Sequence, residues 1–544
     1  MDAKVNLILA VLTLMVAGFQ MPIVNGLAFP PNDPSPQEPV AFAFAKHFQD
    51  EMVLQRAPQS ANIYGFSPSI GEKLVMMVSH SMKNDRYETT VEQGPNPGVG
   101  VWLFTLDPMQ AATVVSVRVE GENGVLTLSD VIFGDVWVCS GQSNMAFTVN
   151  MMLRAEEELA DAHNYPNIRI FAAALETSDT PLDDLKDVME SWSKPSNASL
   201  GGNPWGQPWN FFSAVCWLYG KNIHKALGIP IGLVDTNWGG TPVEAWSSPD
   251  ALDKCNVTSN AIRGPQANSV LWNAMVHPFL GMTIYGAIWY QGERNARHPL
   301  VDRYACTFPA MIDDWRSKFH SVSKGQTNDT FPFGFVQLAT NSPDPSKSFG
   351  FPDIRWHQTA DYGYVPNERM QNVFMAVAMD LPGFTSKFGS IHPQDKTDVG
   401  YRLSLSGLKY AYGREEVCQG PFPSKIITAG KLINITYGNV KTVEVRDWSG
   451  FELLCAGSKA SDEVWLPTRL ISNYTNTVSL YLSVCLQNQK VMGVRYAWRE
   501  SPCSFKKCAI YETVNGLPGP PFVALLNKDE NGKEVFNFDG PTYL

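Results

Sequence analysis

The stretch Val131-Ile-Phe-Gly-Asp-Val-Trp-Val138, followed directly by Cys139-Ser-Gly-Gln-Ser-Asn-Met145, decides the fold we expect. The first part is an apolar run typical of a buried strand, and the second is a polar turn of small residues that leads into a helix. The same rhythm recurs, with predicted strands at 168–174, 231–236, 283–290, 333–338 and 373–379 and helices at 211–227, 304–319 and 396–412. This alternation predicts an α/β domain with a mostly parallel sheet over residues 131–413.

Short β-type runs flank this region on both sides. Before residue 130 they are separated by turn signals, which predicts an N-terminal β-sandwich over residues 27–130. Beyond residue 413 similar runs return, and we expect a second β-rich, sandwich-like domain over residues 414–544. Its segment 517–522, rich in proline, is expected to be extended on the surface.

The first residues indicate the secretory pathway. Residues 7–19 form an apolar run too short to span a bilayer, so residues 1–26 are predicted to be a signal peptide cleaved near Gly26. No later stretch approaches 18 uninterrupted apolar residues, and we expect no membrane anchor. The sequence does not distinguish a lysosomal from a secreted protein.

Sequons and cysteines agree with that route. Nine cysteines predict disulfides in an oxidising compartment with one cysteine left over, and those at 455–508 suggest stapling of the C-terminal region. Five N-x-S/T sequons are candidate glycosylation sites: Asn197, Asn256, Asn328, Asn434 and Asn473.

Charge excludes some classes of partner. The formal net charge is −11, so there is no basic surface through which nucleic acid would be expected to bind. No Cys/His cluster has zinc-finger spacing, and no structural metal is expected. The oligomeric state is not indicated.

Four loops carry the polar residues expected at a site. In an open α/β sheet ligands bind at the carboxyl ends of the strands. The loops that follow four of the predicted strands are 139–145, 237–241, 291–295 and 380–393. They contain a serine, a Gly-Gly turn, an amide and carboxylate cluster, and a histidine, which together suit serine acyl transfer.

A serine nucleophile needs a base and an oxyanion site. Ser143 is the candidate nucleophile and His392 the candidate base. The N–H of Ser143 is one candidate donor to the oxyanion. The others are Gly239 or Gly240 and the side-chain amides of Gln291 or Asn295.

Each of these residues also has a purely structural interpretation. Ser143 could cap the following helix, His392 could be an ordinary loop residue, and the Gly-Gly pair could be only a tight turn. Glu293 could be a buried carboxylate that organises its own loop. The convergence of four loops, rather than any single residue, favours a catalytic site.

Taken together, the motifs carry a resemblance. Gly141-Gln-Ser-Asn-Met145, Asn237-Trp-Gly-Gly-Thr-Pro-Val-Glu-Ala-Trp246, Trp289-Tyr-Gln-Gly-Glu293 with Asn295, and Ile391-His-Pro393 resemble the sialate O-acetylesterase branch of the SGNH hydrolases, in its vertebrate lysosomal and secreted form. The resemblance implies a three-layer α/β/α catalytic domain. It also implies removal of O-acetyl groups, chiefly 9-O-acetyl, from free or glycan-linked sialic acids by a Ser–His mechanism without a cofactor.

One departure from the family leaves the group that orients the imidazole open. Many relatives carry an aspartate two or three residues before the histidine, where this chain has Gly389 and Ser390. Glu293 is slightly favoured because it belongs to a site loop, while Asp380, Asp395 or a backbone carbonyl are alternatives.

Substrate recognition is open as well. Arg294 and Arg297 stand beside the site loop and are candidates to bind a sugar carboxylate, although exposed arginines are usually only solvated. Two rival functions are a broader carbohydrate acetylesterase and a catalytically inactive secreted carbohydrate-binding protein. An unperturbed histidine base also predicts activity that falls below neutral pH, unless the site lowers its pKa.

Overall fold

The computed structural model describes residues 41–81, 83–202, 209, 212–258, 262–297, 299–457, 462–486, 488–528 and 534–537. The predicted signal peptide, residues 1–26, lies outside these ranges. Within them, no helix combines the length and the apolar character that a membrane crossing requires.

The N-terminal region contains short, mostly antiparallel strands with alternating buried and exposed residues. Strands β1, β3, β7 and β6 form a four-stranded sheet in that order, and β4 lies between β5 and β8. The strands are β1 (Ala43–Phe44), β2 (Val53–Gln55), β3 (Asn62–Ser67), β4 (Lys73–His80), β5 (Lys83–Thr90), β6 (Glu92–Gln93), β7 (Gly100–Thr105) and β8 (Val114–Gly121).

A parallel sheet forms the centre, as the alternation of strands and helices predicts. Its order is β11, β10, β12, β9, β13, β14, β15, and only the edge strand β11 runs antiparallel to its neighbour. The edge strand was missed because its residues alternate instead of forming an apolar run. The strands are β9 (Gly124–Gly141), β10 (Ile168–Ala173), β11 (Val188–Ser193), β12 (Ile231–Asn237), β13 (Gly286–Tyr290), β14 (Phe333–Gln337) and β15 (Val373–Val377).

Strand β9 joins the N-terminal region to the central sheet. Its first half pairs with β8 and β2, and its second half pairs with β12 and β13. The strand therefore begins earlier than the predicted residue 131, and the expected boundary at 130 falls inside it. The division into domains at 130 and 413 stays a prediction.

The helices match the predicted ones closely where the sequence supplies a cap. Helix α4 begins after Ser213, whose side chain accepts a hydrogen bond from the Cys216 N–H, and α8 begins after Asp395, which accepts one from the Asp398 N–H. The helices are α1 (Ser143–Ala146), α2 (Ala155–Asp161), α3 (Asn197–Gly201), α4 (Ala214–Leu227), α5 (Pro249–Lys254), α6 (Tyr304–Val322), α7 (Phe351–His357) and α8 (Lys396–Tyr410).

Helices α4 and α8 pack closely against each other. A Cβ at Gly400 would lie 2.5 Å from the Cβ of Leu218, so the absent side chain permits the approach. Both helices also contact the central sheet, α4 at β12 and α8 at β14 and β15. Helices α5, α6 and α7 form a separate group, in which α5 and α7 both pack against α6.

The C-terminal region contains antiparallel sheets, in the orders β16-β17-β22-β21, β18-β24 and β20-β19-β23-β25-β26. The expectation that 517–522 lies on the surface is wrong, since Leu517 and Phe522 are only 3% and 1% exposed. The strands are β16 (Pro423–Ala429), β17 (Leu432–Tyr437), β18 (Val443–Val445), β19 (Phe451–Ala456), β20 (Val464–Thr468), β21 (Leu470–Tyr474), β22 (Thr477–Tyr481), β23 (Lys490–Tyr496), β24 (Ile510–Glu512), β25 (Phe522–Lys528) and β26 (Glu534–Asn537).

Four disulfides staple the fold, as the cysteine count predicts, and they fit an oxidising compartment. Two of them, Cys455–Cys485 and Cys503–Cys508, lie in the C-terminal region. The other two are Cys139–Cys216, which ties β9 to α4, and Cys255–Cys306. Cys418 is the free, buried cysteine.

Candidate active site

Three neighbouring parallel strands end at the same level of the sheet. Gly141 at the end of β9 is paired in register with Asn237 of β12 on one side and Tyr290 of β13 on the other. Gly141 has φ +140°, and a Cβ there would lie 2.3 Å from the Tyr290 carbonyl oxygen. A glycine is therefore required where the chain turns out of the sheet towards Ser143.

The structure brings Ser143 and His392 together. The Oγ of Ser143 lies 2.9 Å from the Nε2 of His392, although 249 positions separate the two residues. Ser143 is the first residue of α1, and that helix has no side-chain cap at its N-terminus. The alternative role of Ser143 as a helix cap is therefore not what the structure shows.

A backbone carbonyl holds the other side of the imidazole. The Nδ1 of His392 lies 2.7 Å from the carbonyl oxygen of Phe388. Since a carbonyl only accepts hydrogen bonds, Nδ1 carries the proton, which leaves Nε2 of a neutral ring to accept from the Ser143 hydroxyl. Burial lowers the pKa of His392, helped by the positive charge of Lys396 and opposed by the bond to Phe388.

Ser143 lines a cavity of about 260 Å³. Apolar side chains form much of its wall, and Trp238 and Trp209 also line it, the latter with its ring centroid 5.1 Å from that of His392. The remaining lining residues are Ala146, Ala172, Ala173, Leu175, Met189, Asp235, Asn237 and Gly239. Burial raises the pKa of Asp235 to about 8, so this carboxyl is mostly neutral at pH 7.

Of the predicted oxyanion donors, Gly239 lies against the serine. A Cβ built on Gly239 would lie 3.3 Å from the Cβ of Ser143, whereas one on Gly240 would have no neighbour within 4 Å. Asn237, which stood in the quoted motif but was not singled out, lines the same cavity. Its amide donates to Asp235, an arrangement that fixes the orientation of the side chain.

The structure does not direct the amides of Gln291 and Asn295 to Ser143. Both are fully buried. The Nε2 of Gln291 donates to the Thr241 carbonyl at 3.2 Å and to the Asn295 Oδ1 at 2.7 Å, so both of its hydrogens are used. The Nδ2 of Asn295 donates to Glu244 at 2.9 Å. These contacts are those of a structural network beneath the site.

Glu293 lies behind the serine rather than against the imidazole. Its Oε1 accepts a hydrogen bond of 2.5 Å from the Nδ2 of Asn144. Burial raises the pKa of Glu293, against the lowering effects of Asn144 and of the Lys396 charge. This position agrees with the structural interpretation of Glu293 and differs from the favoured one, in which it orients His392.

The two aspartate alternatives have other partners. Asp380 forms a buried two-pronged ion pair with Arg402, at 2.6 and 3.0 Å, and accepts from the Tyr511 hydroxyl at 3.0 Å. Asp395 caps α8 by accepting from the Asp398 N–H at 3.1 Å. The backbone carbonyl is thus the group that the structure places against Nδ1.

Neither candidate arginine lines the cavity beside Ser143. The Nη2 of Arg294 donates to Gln266 at 2.7 Å, and Arg297 is exposed beside the same loop.

Four sequon asparagines are exposed, and the fifth, Asn434, is half-buried and accepts from the Ser479 hydroxyl at 2.8 Å. Glycosylation at the five positions stays a prediction. Among the described residues no group of three or more His, Cys, Asp or Glu could hold a metal ion.

Two families of known proteins match parts of this chain. Residues 133–399 match the family described as carbohydrate esterase, sialic acid-specific acetylesterase, and residues 424–526 match the sialate O-acetylesterase C-terminal domain. The chain is 41% identical to the sialate O-acetylesterase of Mus musculus over 528 residues, covering 90% of this chain and 95% of the relative. It is 41% identical to that of Homo sapiens, covering 91% and 95%.

A solved structure shares the architecture. A carbohydrate acetylesterase from Xanthomonas citri superposes with a TM-score of 0.72 at 26% identity, covering 88% of this chain and 99% of that one. Similarity in fold and similarity in sequence thus both relate the chain to carbohydrate acetylesterases. The chain belongs to the sialate O-acetylesterase family of carbohydrate esterases.

Proposed function

We propose that this protein hydrolyses O-acetyl esters of sialic acids, chiefly at the 9-position, with Ser143 as nucleophile and His392 as general base. The observation that carries the proposal is the 2.9 Å contact between Ser143 Oγ and His392 Nε2 at the edge of a cavity, in a chain of this family.

The mechanism follows from the hydrogen bonds. His392 Nε2 takes the proton of the Ser143 hydroxyl while Oγ attacks the acetyl carbonyl carbon. The imidazolium then protonates the departing sugar oxygen, which leaves an acetylated serine. A water molecule, deprotonated by the same imidazole, attacks the acetyl carbonyl carbon, the bond to Oγ breaks, and the imidazolium returns its proton to Oγ as acetate leaves.

The oxyanion is proposed to rest on donors at the ends of β9 and β12. Ser143, Asn237 and Gly239 all line the cavity, and we propose the N–H groups of Ser143 and Gly239 and the Nδ2 of Asn237 as the donors. Such donors stabilise the tetrahedral intermediate because they are already aimed at the developing charge. Gln291 and Asn295 are not included, since their amides donate elsewhere.

No carboxylate is needed to orient the imidazole in this scheme. The Phe388 carbonyl selects the tautomer with the proton on Nδ1, which is the first task of the aspartate in a Ser-His-Asp triad. The carbonyl lacks a full negative charge, so it stabilises the imidazolium less than an aspartate would.

The cavity suits a ligand that is partly apolar. Ala172, Ala173 and Leu175 offer an apolar wall to the acetyl methyl group. The mostly neutral state of Asp235 at pH 7 limits repulsion of an anionic sugar. Arg294 and Arg297 stay the candidate partners of the sialic acid carboxylate, on a part of the substrate that extends beyond this cavity, since neither residue lines it.

The finer architecture belongs to the same proposal. The packing of α4 with α8, and of α5, α6 and α7 as a second group, supports a three-layer α/β/α arrangement of the SGNH type over 131–413. We propose β-rich domains on either side of it, with the predicted boundaries at 130 and 413, and a secretory destination, lysosomal or extracellular, which fits the four disulfides.

The test is acetate release by purified protein from 9-O-acetylated sialic acid, acetylated xylan and an aryl acetate. Preference for the sialic acid ester, lost in folded Ser143→Ala, is the expected result. Comparable turnover of all three would support a broader acetylesterase, and inertness towards all three would support a carbohydrate-binding protein.

A further inference from the structure

A buried chain of three polar side chains lies directly behind the Ser143–His392 pair. The Nζ of Lys396 donates to the Oδ1 of Asn144 at 2.6 Å, and the Nδ2 of Asn144 donates to the Oε1 of Glu293 at 2.5 Å. Lys396 is 0%, Asn144 1% and Glu293 7% exposed. A buried ammonium and carboxylate are costly to desolvate, so their retention at this place calls for a reason beyond stability.

Asn144 connects this chain to both catalytic loops. It directly follows Ser143 in sequence, and its Nδ2 also donates to the Ile391 carbonyl at 2.9 Å, one residue before His392. Asn144 therefore joins the loop after β9, the loop after β13 and the histidine loop.

Lys396 is held in one place by several groups. Besides Asn144, the rings of Phe147 and Tyr290 face its ammonium, with centroids at 4.6 and 5.3 Å. The negative charges of Glu293 and Asp395 favour its charged form, whereas burial lowers its pKa to about 7. Below neutrality the side chain is accordingly mostly charged.

We infer that Lys396 is a positioning residue for the esterase reaction: through Asn144 it holds the His392 loop against Ser143, and its charge disfavours a second positive charge on the imidazole. The inference rests on the proposed function. It explains how the histidine base would stay neutral at a pH below the ordinary pKa of histidine.

The other groups that face His392 are compatible with this role. Ser143 contacts it from α1, the Phe388 carbonyl from its own loop and the Trp209 ring from across the cavity. These three are uncharged. Burial is the main cause of the lowered pKa of His392, and the positive charge of Lys396, which is hydrogen-bonded to Asn144 behind the histidine loop, lowers it further.

The experiment compares the pH dependence of Ser143 labelling by a fluorophosphonate probe in the wild type and in Lys396→Met. The probe reports attack by a serine activated by neutral histidine, and it needs no sialic acid substrate. Because removing Lys396 leaves Glu293 without a partner charge and can impair folding, the double variant Glu293→Gln/Lys396→Met is measured as well. Lys409→Met, at the far end of the same helix, is the matched control.

We expect the acid limb of the labelling rate to move upward by roughly half a pH unit or more in both Lys396 variants and to stay in place in Lys409→Met. An unmoved acid limb in a folded Lys396 variant overturns the inference. Failure of the proposed function looks different: the wild type is then labelled at Ser143 but releases no acetate from sialic acid esters, or it is not labelled at Ser143.

Discussion

The Nε2 of His392 lies 2.9 Å from the Oγ of Ser143, and the Nδ1 of the same ring lies 2.7 Å from a backbone carbonyl. The pair is thus complete in its hydrogen bonds without a carboxylate. Ser143→Ala is expected to lower kcat by roughly 10⁴-fold or more, because the covalent route is lost. Acetate release and circular dichroism check this, and a folded variant with wild-type turnover would remove Ser143 from the mechanism.

Activity should persist on the acidic side of neutrality. Burial, with the help of Lys396, lowers the pKa of His392 below the ordinary 6.5 of histidine, so the base stays neutral to a lower pH than a free histidine does. The acid limb of kcat/KM is expected below pH 6.5. A kcat/KM profile on an aryl acetate measures it, and an inflection above that value would contradict the assignment.

Comparing Asn237→Ala with Gln291→Ala distinguishes an amide that donates to the oxyanion from an amide that only stabilises the fold. Removing the Asn237 donor is expected to lower kcat by roughly 10²–10³-fold. A smaller loss of Tm is expected as well, because the buried Asp235 loses one hydrogen bond. Gln291→Ala should instead act mainly on stability. The Tyr304 hydroxyl, 2.9 Å from Gln291 Oε1, and Asn295 each lose a buried partner, so we expect the free energy of unfolding to fall by about 1–3 kcal/mol and Tm to fall with it. A large Tm loss in Asn237→Ala with kcat unchanged would reverse the two roles.

Asp380→Ala tests one of the alternative orienting acids. It leaves the buried guanidinium of Arg402 without its two-pronged partner, so we expect a loss of about 3–5 kcal/mol in the free energy of unfolding. Denaturant titration measures this. Should the variant keep its stability but lose turnover by orders of magnitude, Asp380 would act on the chemistry after all.

The disulfide Cys139–Cys216 closes a loop of 77 residues between β9 and α4. Its removal in Cys139→Ala/Cys216→Ala is expected to cost about 4.5 kcal/mol by the chain-entropy relation. Thermal unfolding of the variant and the wild type checks the difference. An unchanged Tm would show that the constraint has little influence on the unfolded chain.

Local sequence patterns were enough to predict most strands of the central sheet. The apolar runs at 168–174, 231–236, 333–338 and 373–379 agree with β10, β12, β14 and β15 within about two residues, since buried parallel strands are continuous apolar runs. The edge strand β11 and the tail at 517–522 were misjudged, because burial of an alternating or proline-rich segment depends on what packs against it.

The sequence by itself determined the α/β class, the loops in which the chemistry lies, and the candidates Ser143, His392 and the pair Gly239 and Gly240, since strand ends and small-residue turns are local features. Only the tertiary structure decided which side chains face one another. It placed a carbonyl at Nδ1 of His392, directed Gln291 and Asn295 into a buried network, and set Lys396 behind the pair. Those contacts join residues distant in the chain, and their partners follow from packing and from the need to satisfy buried polar groups.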